Sequence, residues 1–349
     1  MRPRVYLDWN ATAPLRAEAR AAMIGAMDAL GNPSSVHGEG RAAKAILERA
    51  RGQVAEATGT GSGDVVFTSG ATEAAALALA GRGLRGAGVE HDCVAAWVEA
   101  DLDVDADGRV EVGDPAGSVL QAANSETGVV QDLPQGLAMV DAVQAVGKVP
   151  FEFEWSGAAT AIVSAHKLGG PKGVGALLTR PGVDLAARIR GGGQESGRRA
   201  GTENLIGIAG FGAAAEAAAR DLADGVWEPV SELRDFLESA LEEPTCQTIF
   251  VGKGSRRLPN TSCFAVPGWK GETQVMQMDL DGFAVSAGSA CSSGKVRESR
   301  VLRAMGYGPE VASSAIRVSM GPATTRDDVL AFVGAWSRQH GRRSRRNAA

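Results

Sequence analysis

The stretch Ser164-Ala165-His166-Lys167-Leu168-Gly169-Gly170-Pro171-Lys172-Gly173 lies between two apolar runs, Ala161-Ile162-Val163-Ser164 and Gly175-Ala176-Leu177-Leu178-Thr179. Runs of this size read as strands, and the glycines between them make a bend where the backbone can approach a ligand closely. A lysine at such a place can be desolvated. Desolvation lowers its pKa and turns it into a Schiff-base nucleophile. Standing alone, the stretch reads as a surface lysine in a loop, so the rest of the chain has to decide.

Working outward, further strand-sized runs occur at Val65–Thr68, Val94–Val98 and Ser118–Ala122. Arg16 to Leu30 and Gly40 to Ala57 are rich in Ala, Arg, Glu and Leu and favour helices, with the turn Gly31-Asn32-Pro33-Ser34-Ser35 between them. Alternating strands and helices predict an α/β layered fold. From Leu205 to about Glu243 the composition is that of one long helix or two, broken at Gly225 and Pro229. Beyond it, Gln247–Val251, Ser262–Val266 and Ala315–Ser319 predict a second, smaller sheet, with helices starting at Gly271 and spanning Thr325 to His340. The expected organisation is a large domain over 13–225 and a small domain built from 1–12 and 226–349. The basic tail Arg342-Arg343-Ser344-Arg345-Arg346 is expected to be a solvated, frayed terminus.

The 349 residues allow two domains, at roughly 150 residues per domain. A net charge of −5 with 22% charged and 44% hydrophobic residues gives no nucleic-acid signature. No apolar stretch reaches the roughly 18 residues that a membrane span needs, and the start lacks the apolar core of a signal peptide. A soluble, cytoplasmic protein is expected. Cys93, Cys246, Cys263 and Cys291 are widely spaced, with no C-x-x-C pair and no metal-ligand pattern.

Three more constellations carry chemistry. Ser69-Gly70-Ala71-Thr72-Glu73 follows the run Val65–Thr68 and opens an Ala-rich stretch, so small residues stand where a helix N-terminus could bind phosphate. Ser and Thr are also ordinary helix caps. Asp141 closes the apolar Met139-Val140 about one strand-connection-strand unit before Lys167. A buried carboxylate there would keep a pyridinium nitrogen protonated, as pyridoxal-phosphate chemistry requires, and Gln144 could reach the ring's phenolic oxygen. A capping role would account for Asp141 equally well. Ser286-Ala287-Gly288-Ser289-Ala290-Cys291-Ser292-Ser293-Gly294 sets one cysteine among small polar residues, suiting an exposed, mobile loop and a nucleophilic thiol. Cys93, Cys246 and Cys263 sit in more apolar company and read as packed, inert thiols.

Together these residues resemble the cysteine desulfurases, pyridoxal-phosphate enzymes of the class V aminotransferase family with the fold type I architecture. Other segments extend the resemblance over most of the chain: Tyr6–Pro14, Gly31–Ser35, Glu90-His91, Asn124–Gly128, Asp141–Lys148, Arg199–Asn204 and Ser314–Ser319. The resemblance implies a large domain with a mostly parallel central sheet plus a smaller α+β domain. It implies Lys167 as the Schiff-base lysine, His91 stacked on the pyridoxal ring, Asp141 on the pyridinium and Gln144 on the phenolic oxygen. Ala71, Thr72, Ser164 and His166 would hold the phosphate, with Thr202 supplied by a neighbouring subunit. Asn10, Asn124 and Arg317 would bind the substrate, and Cys291 would receive its sulfur.

The chain departs from the pattern in several places. The stretches His91–Asn124 and Gln131–Asp141 are short, Ala75 and Ala76 replace common asparagines, the C-terminal tail is short, and Ser196 stands where arginine is frequent. The implied activity is conversion of L-cysteine to L-alanine by a homodimer with pyridoxal 5'-phosphate, with a sulfur-acceptor or scaffold protein as a further partner. A selenocysteine lyase or other β-lyase, and a noncatalytic assembly partner, are the alternative readings.

Overall fold

A computed structural model describes residues 4–61, 65–242, 247–288 and 298–348. Its centre is a sheet in the spatial order Val65–Thr68, Gly175–Thr179, Thr160–Ser164, Met139–Asp141, Val119–Gln121. The last three strands pair in parallel, while Gly175–Thr179 runs antiparallel to both of its neighbours. A parallel bridge between Arg85 and Ser118 carries the sheet on to the pair Arg85–Ala87 and Glu99–Leu102.

The central strands are buried on both faces, so they are apolar throughout rather than alternating. Their period of two instead divides them between two cores. Phe67, Leu120, Val140, Val163 and Leu178 face the helices Gly38–Thr58 and Leu205–Ala223, meeting Leu47, Val54 and Phe211. Val66, Val119, Met139, Ile162 and Leu177 face the helix Ala71–Leu79.

The second sheet is antiparallel, in the order Ser286–Ala287, Ala315–Ser319, Thr261–Ala265, Ile249–Phe250. It packs through Phe264, Ile316 and Val318 on Trp336, Phe332 and Trp269. The N-terminal strand Val5–Tyr6 pairs in parallel with Phe283–Ala284, and Val5 and Phe283 share the core of this sheet.

Three local expectations are corrected. Val94–Val98 is not a strand: His91 caps a short helix, Asp92–Ala95, with its ring accepting from the Cys93 N–H, and the strand starts at Glu99. Pro229 does not break a helix, because it sits in the first turn of Glu228–Glu242, where its missing N–H costs nothing. The basic tail is helical, continuing Arg326–Ala348 to the end of the described chain.

Candidate active site

The strands Val65–Thr68, Val119–Gln121, Met139–Asp141 and Thr160–Ser164 point the same way, so their carboxyl ends bring Thr68, Gln121, Asp141 and Ser164 to one edge of the sheet. Clefts at this edge are where open α/β sheets bind ligands. Here it carries a cavity of about 520 Å³ lined by Ala71, Thr72, His91, Asp141, Gln144, Ser164, His166 and Lys167, together with Ser69, Cys93, Ser125 and Lys172. Close backbone packing shapes one wall. A Cβ on Gly175 would stand 2.7 Å from the Gly70 carbonyl carbon and 2.7 Å from the Val163 oxygen.

Lys167 leaves a single turn, Ala165–Lys167, at the end of its strand. Its Nζ donates to the carbonyls of Asn10 (2.7 Å) and Ala11 (3.0 Å), which hold the amine at the mouth of the cleft. His166 beside it shares a 2.7 Å hydrogen bond between Nδ1 and the Thr12 hydroxyl. Burial, reinforced by Lys167 and Lys172, holds this imidazole down to about 4, so it is neutral at ordinary pH.

Asp141 is buried and accepts from the Val143 N–H at 2.9 Å. Burial pushes its carboxyl above the ordinary range, with that N–H, His91 and Lys167 pulling the other way. A cationic N–H donor set against it would restore the carboxylate, and that is what a pyridinium nitrogen offers. Glu90 lies behind it, fully buried, with Oε1 accepting from the Gln121 N–H and no hydrogen-bond partner for Oε2 among the described residues. Burial and the nearby Asp141 push Glu90 up to about 8.

Opposite, the helix Ala71–Leu79 directs its N-terminus at the cleft, where the first N–H groups of a helix have no intrahelical partner. Glu73 accepts from the Ser69 N–H (2.8 Å) and from Arg199 Nε (2.8 Å), fixing this turn. A phosphate fits here, with Ser164, His166 and Lys172 on the same cavity. The donors and the buried acid therefore suit a ring bearing a phosphate and a basic nitrogen.

Asn10, Asn124 and Arg317, expected to bind substrate, are not among the residues that line this cavity. Arg317 donates from Nη1 to the Ser125 carbonyl (2.9 Å) and from Nη2 to Asp8 (2.6 Å), while its buried Nε has no partner among the described residues. Asn124 and Asn10 are occupied. The Asn124 amide donates to Val89 O and Gln121, and its Oδ1 accepts from the N–H groups of Glu126 and Thr127. Asn10 bonds Thr261, Asn260 and Ser125. Both asparagines hold the loops that shape the site. Thr202 lines an adjoining cavity of about 130 Å³ that shares Ser69 and Gly173 with the main one. Cys291 and Cys246 fall outside the described residues.

Several residues were missed in the sequence. Cys93, read as a packed thiol, lines the cleft with Sγ 3.0 Å from His91 Nδ1. Burial and Asp141 push it up to about 12, so it stays a thiol. Its spacing of two from His91 was the available signal. Lys172 stood in the quoted glycine-rich bend. Asp8 and Glu90 act through partners far away in sequence, and local pattern gives no warning of them. Cys263, by contrast, is wholly buried as expected. No cluster of metal-ligating groups occurs among the described residues, and none of their helices is long and apolar enough to cross a membrane.

The sequence profile of the aminotransferase class-V family matches residues 5–99 and 117–332, skipping the shortened stretch after His91. A cysteine desulfurase of Cereibacter sphaeroides is 40% identical, over 93% of this chain and 93% of its own. Cysteine desulfurase IscS of Dictyoglomus turgidum is 36% identical, over 94% of this chain and 92% of its own. Among solved structures, a NifS-like protein from Rickettsia africae superposes with a TM-score of 0.88 at 29% identity, covering 97% of this chain and 99% of that one. With most of its length matched in this way and the cleft built as described, the chain belongs to the class-V aminotransferase family, in its cysteine desulfurase branch.

Proposed function

We propose that the protein is a homodimeric, pyridoxal 5'-phosphate-dependent cysteine desulfurase, which converts L-cysteine to L-alanine and keeps the sulfur as a persulfide on Cys291. The observation that carries this reading is the convergence of Lys167, Asp141 and the helix N-terminus at Ala71 on one cleft, in a chain whose relatives over nine-tenths of its length are named cysteine desulfurases. Bound pyridoxal phosphate supplies the electron sink for charge developing at the substrate Cα. Asp141 and His91 hold its ring, and Ala71, Thr72, Ser164 and His166 hold its phosphate, with Thr202 of a second subunit completing the set.

The chain's own groups do the rest. Arg317 takes the substrate carboxylate, for which its unpartnered Nε and its guanidinium fork are suited. Lys167 Nζ, held in the cleft by the Asn10 and Ala11 carbonyls, would be the base that takes the Cα proton. The Cys291 thiolate attacks the substrate sulfur, so an S–S bond forms as the Cβ–S bond breaks. The electron pair left at Cβ takes a proton, and return of the proton from Lys167 Nζ to Cα gives alanine.

The test is a titration of the purified apoprotein with pyridoxal phosphate, followed by L-cysteine and an alanine assay. A visible absorption band that borohydride abolishes while leaving a stable adduct on Lys167, and alanine formation on adding cysteine, are expected. A protein that takes up no cofactor would sink the reading.

A further inference from the structure

Lys148 ends the turn that follows Asp141, and its side chain is folded inward, 4% exposed. Its Nζ donates to Gln144 Oε1 at 2.7 Å, with a longer contact to the Gln144 carbonyl at 3.4 Å. Gln144 in turn donates from Nε2 to the Asn10 carbonyl at 3.0 Å, and that oxygen also accepts from Lys167 Nζ at 2.7 Å. A hydrogen-bonded chain thus runs from Lys148 through Gln144 and Asn10 to Lys167. The turn itself is pinned across the molecule, since Trp227 Nε1 donates to the Gly147 carbonyl at 2.6 Å.

The chemistry of this chain fixes one orientation of the Gln144 amide. Turned over, its NH₂ would face the Lys148 amine and its oxygen would face the Asn10 carbonyl, donor against donor and acceptor against acceptor. Two contacts enforce the orientation, and they differ in permanence. The Asn10 oxygen is shared with Lys167, an amine that must move during turnover. The Lys148 contact is independent of Lys167. We propose that Lys148 is a positioning residue, which holds Gln144 so that its second N–H faces the cleft as a fixed hydrogen-bond donor to the cofactor. This rests on the pyridoxal-phosphate reading above. Burial, with Lys167 and Arg317 nearby, brings the Lys148 amine down to about 7, and an amine donates this hydrogen bond in either protonation state.

A donor held against the phenolic oxygen stabilises negative charge there and weakens the grip on the proton carried by Lys167 nitrogen. Loss of that donor should raise the pH midpoint of the visible absorption change of the bound cofactor. The experiment measures this midpoint in the holoprotein for the native chain, Lys148→Met, Gln144→Ala and the double variant. Lys148→Met is expected to raise the midpoint by about half a unit or more, while adding no further shift in the Gln144→Ala background. Met keeps the length and apolar bulk of the side chain. Because Lys148 also lines a groove of about 690 Å³ on the far side, Lys148→Ala supplemented with propylamine gives a second route. Propylamine should restore the midpoint and propionitrile, of the same size but with no donor, should not.

An unchanged midpoint in Lys148→Met overturns the proposal. So does an equal shift with and without Gln144, which would mark simple loss of charge, or rescue by propionitrile, which would mark packing alone. Failure of the native apoprotein to bind cofactor would instead refute the underlying reading, before any variant is compared.

Discussion

Replacing Arg317 by lysine tests how the substrate carboxylate is held. Arg317 stands on the strand Ala315–Ser319, opposite Cys263 on one side and Ser286 on the other. Its guanidinium spans three directions, with Nη2 on Asp8, Nη1 on the Ser125 carbonyl and Nε unpartnered among the described residues. Lysine retains the charge but has a single donor atom, which Asp8 competes to hold. It can therefore satisfy Asp8 or a carboxylate, not both with fork geometry. A hydrogen bond to a charged group contributes about 1.5–3 kcal/mol. At about 1.4 kcal/mol per factor of ten, the loss corresponds to a fall of roughly 10- to 150-fold in kcat/KM for L-cysteine. Steady-state kinetics with cofactor saturating should show most of this in KM, while cofactor affinity and the melting curve stay near the native values. A KM within twofold of native would refute the assignment of Arg317 to the carboxylate.

Further outcomes are expected from other sites. Lys167→Ala should fold and bind pyridoxal phosphate reversibly but yield no borohydride-fixed adduct by mass spectrometry and no alanine. Glu90, pushed up to about 8 from 4.5, binds its proton more tightly folded than unfolded; its stabilising contribution is full below about 4.5 and is lost as pH rises through about 8. Urea unfolding of the apoprotein should therefore show Glu90→Gln gaining stability relative to the native chain across that window, and a constant difference would count against it. Arg257 and Glu238 form a buried pair with contacts of 2.6 and 3.0 Å, and Ser262 also donates to Glu238. Arg257→Met should cost about 3–5 kcal/mol in urea unfolding because it strands the Glu238 charge, and adding Glu238→Leu should recover much of the loss.

Much of the architecture was legible because apolar runs such as Val65–Thr68 and Thr160–Ser164 are buried on both faces, which makes them continuous blocks in sequence. Glu99–Leu102 was not, since three of its four residues are exposed at the sheet margin and carry no apolar signature. In the neighbouring Val94–Val98, Val94 and Val98 pack on the core while Ala96 and Trp97 are exposed, and an apolar run this short does not distinguish helix from strand. Lys167, Asp141 and Thr72 stood out in the sequence at strand ends and a helix start, where local sequence sets which way a side chain leaves the fold, whereas His91 was singled out only through the family resemblance. The partners that tune them were not legible. Asp8 on Arg317, Thr12 on His166 and the Asn10 carbonyl under Lys167 join residues more than 150 positions apart. Only the tertiary fold brings them together, as it also shows Asn124 committed to its own turn.

The central claim is sulfur transfer to Cys291, and a single-turnover experiment addresses it most directly. The holoprotein is mixed with L-cysteine in the absence of any reductant, quenched, and its peptides are read by mass spectrometry while free alanine is quantified. The account expects alanine and protein-bound persulfide in equal amounts, with the extra sulfur on Cys291, and neither persulfide nor steady alanine production from Cys291→Ser. Alanine formed with free sulfide and undiminished activity in Cys291→Ser would contradict it.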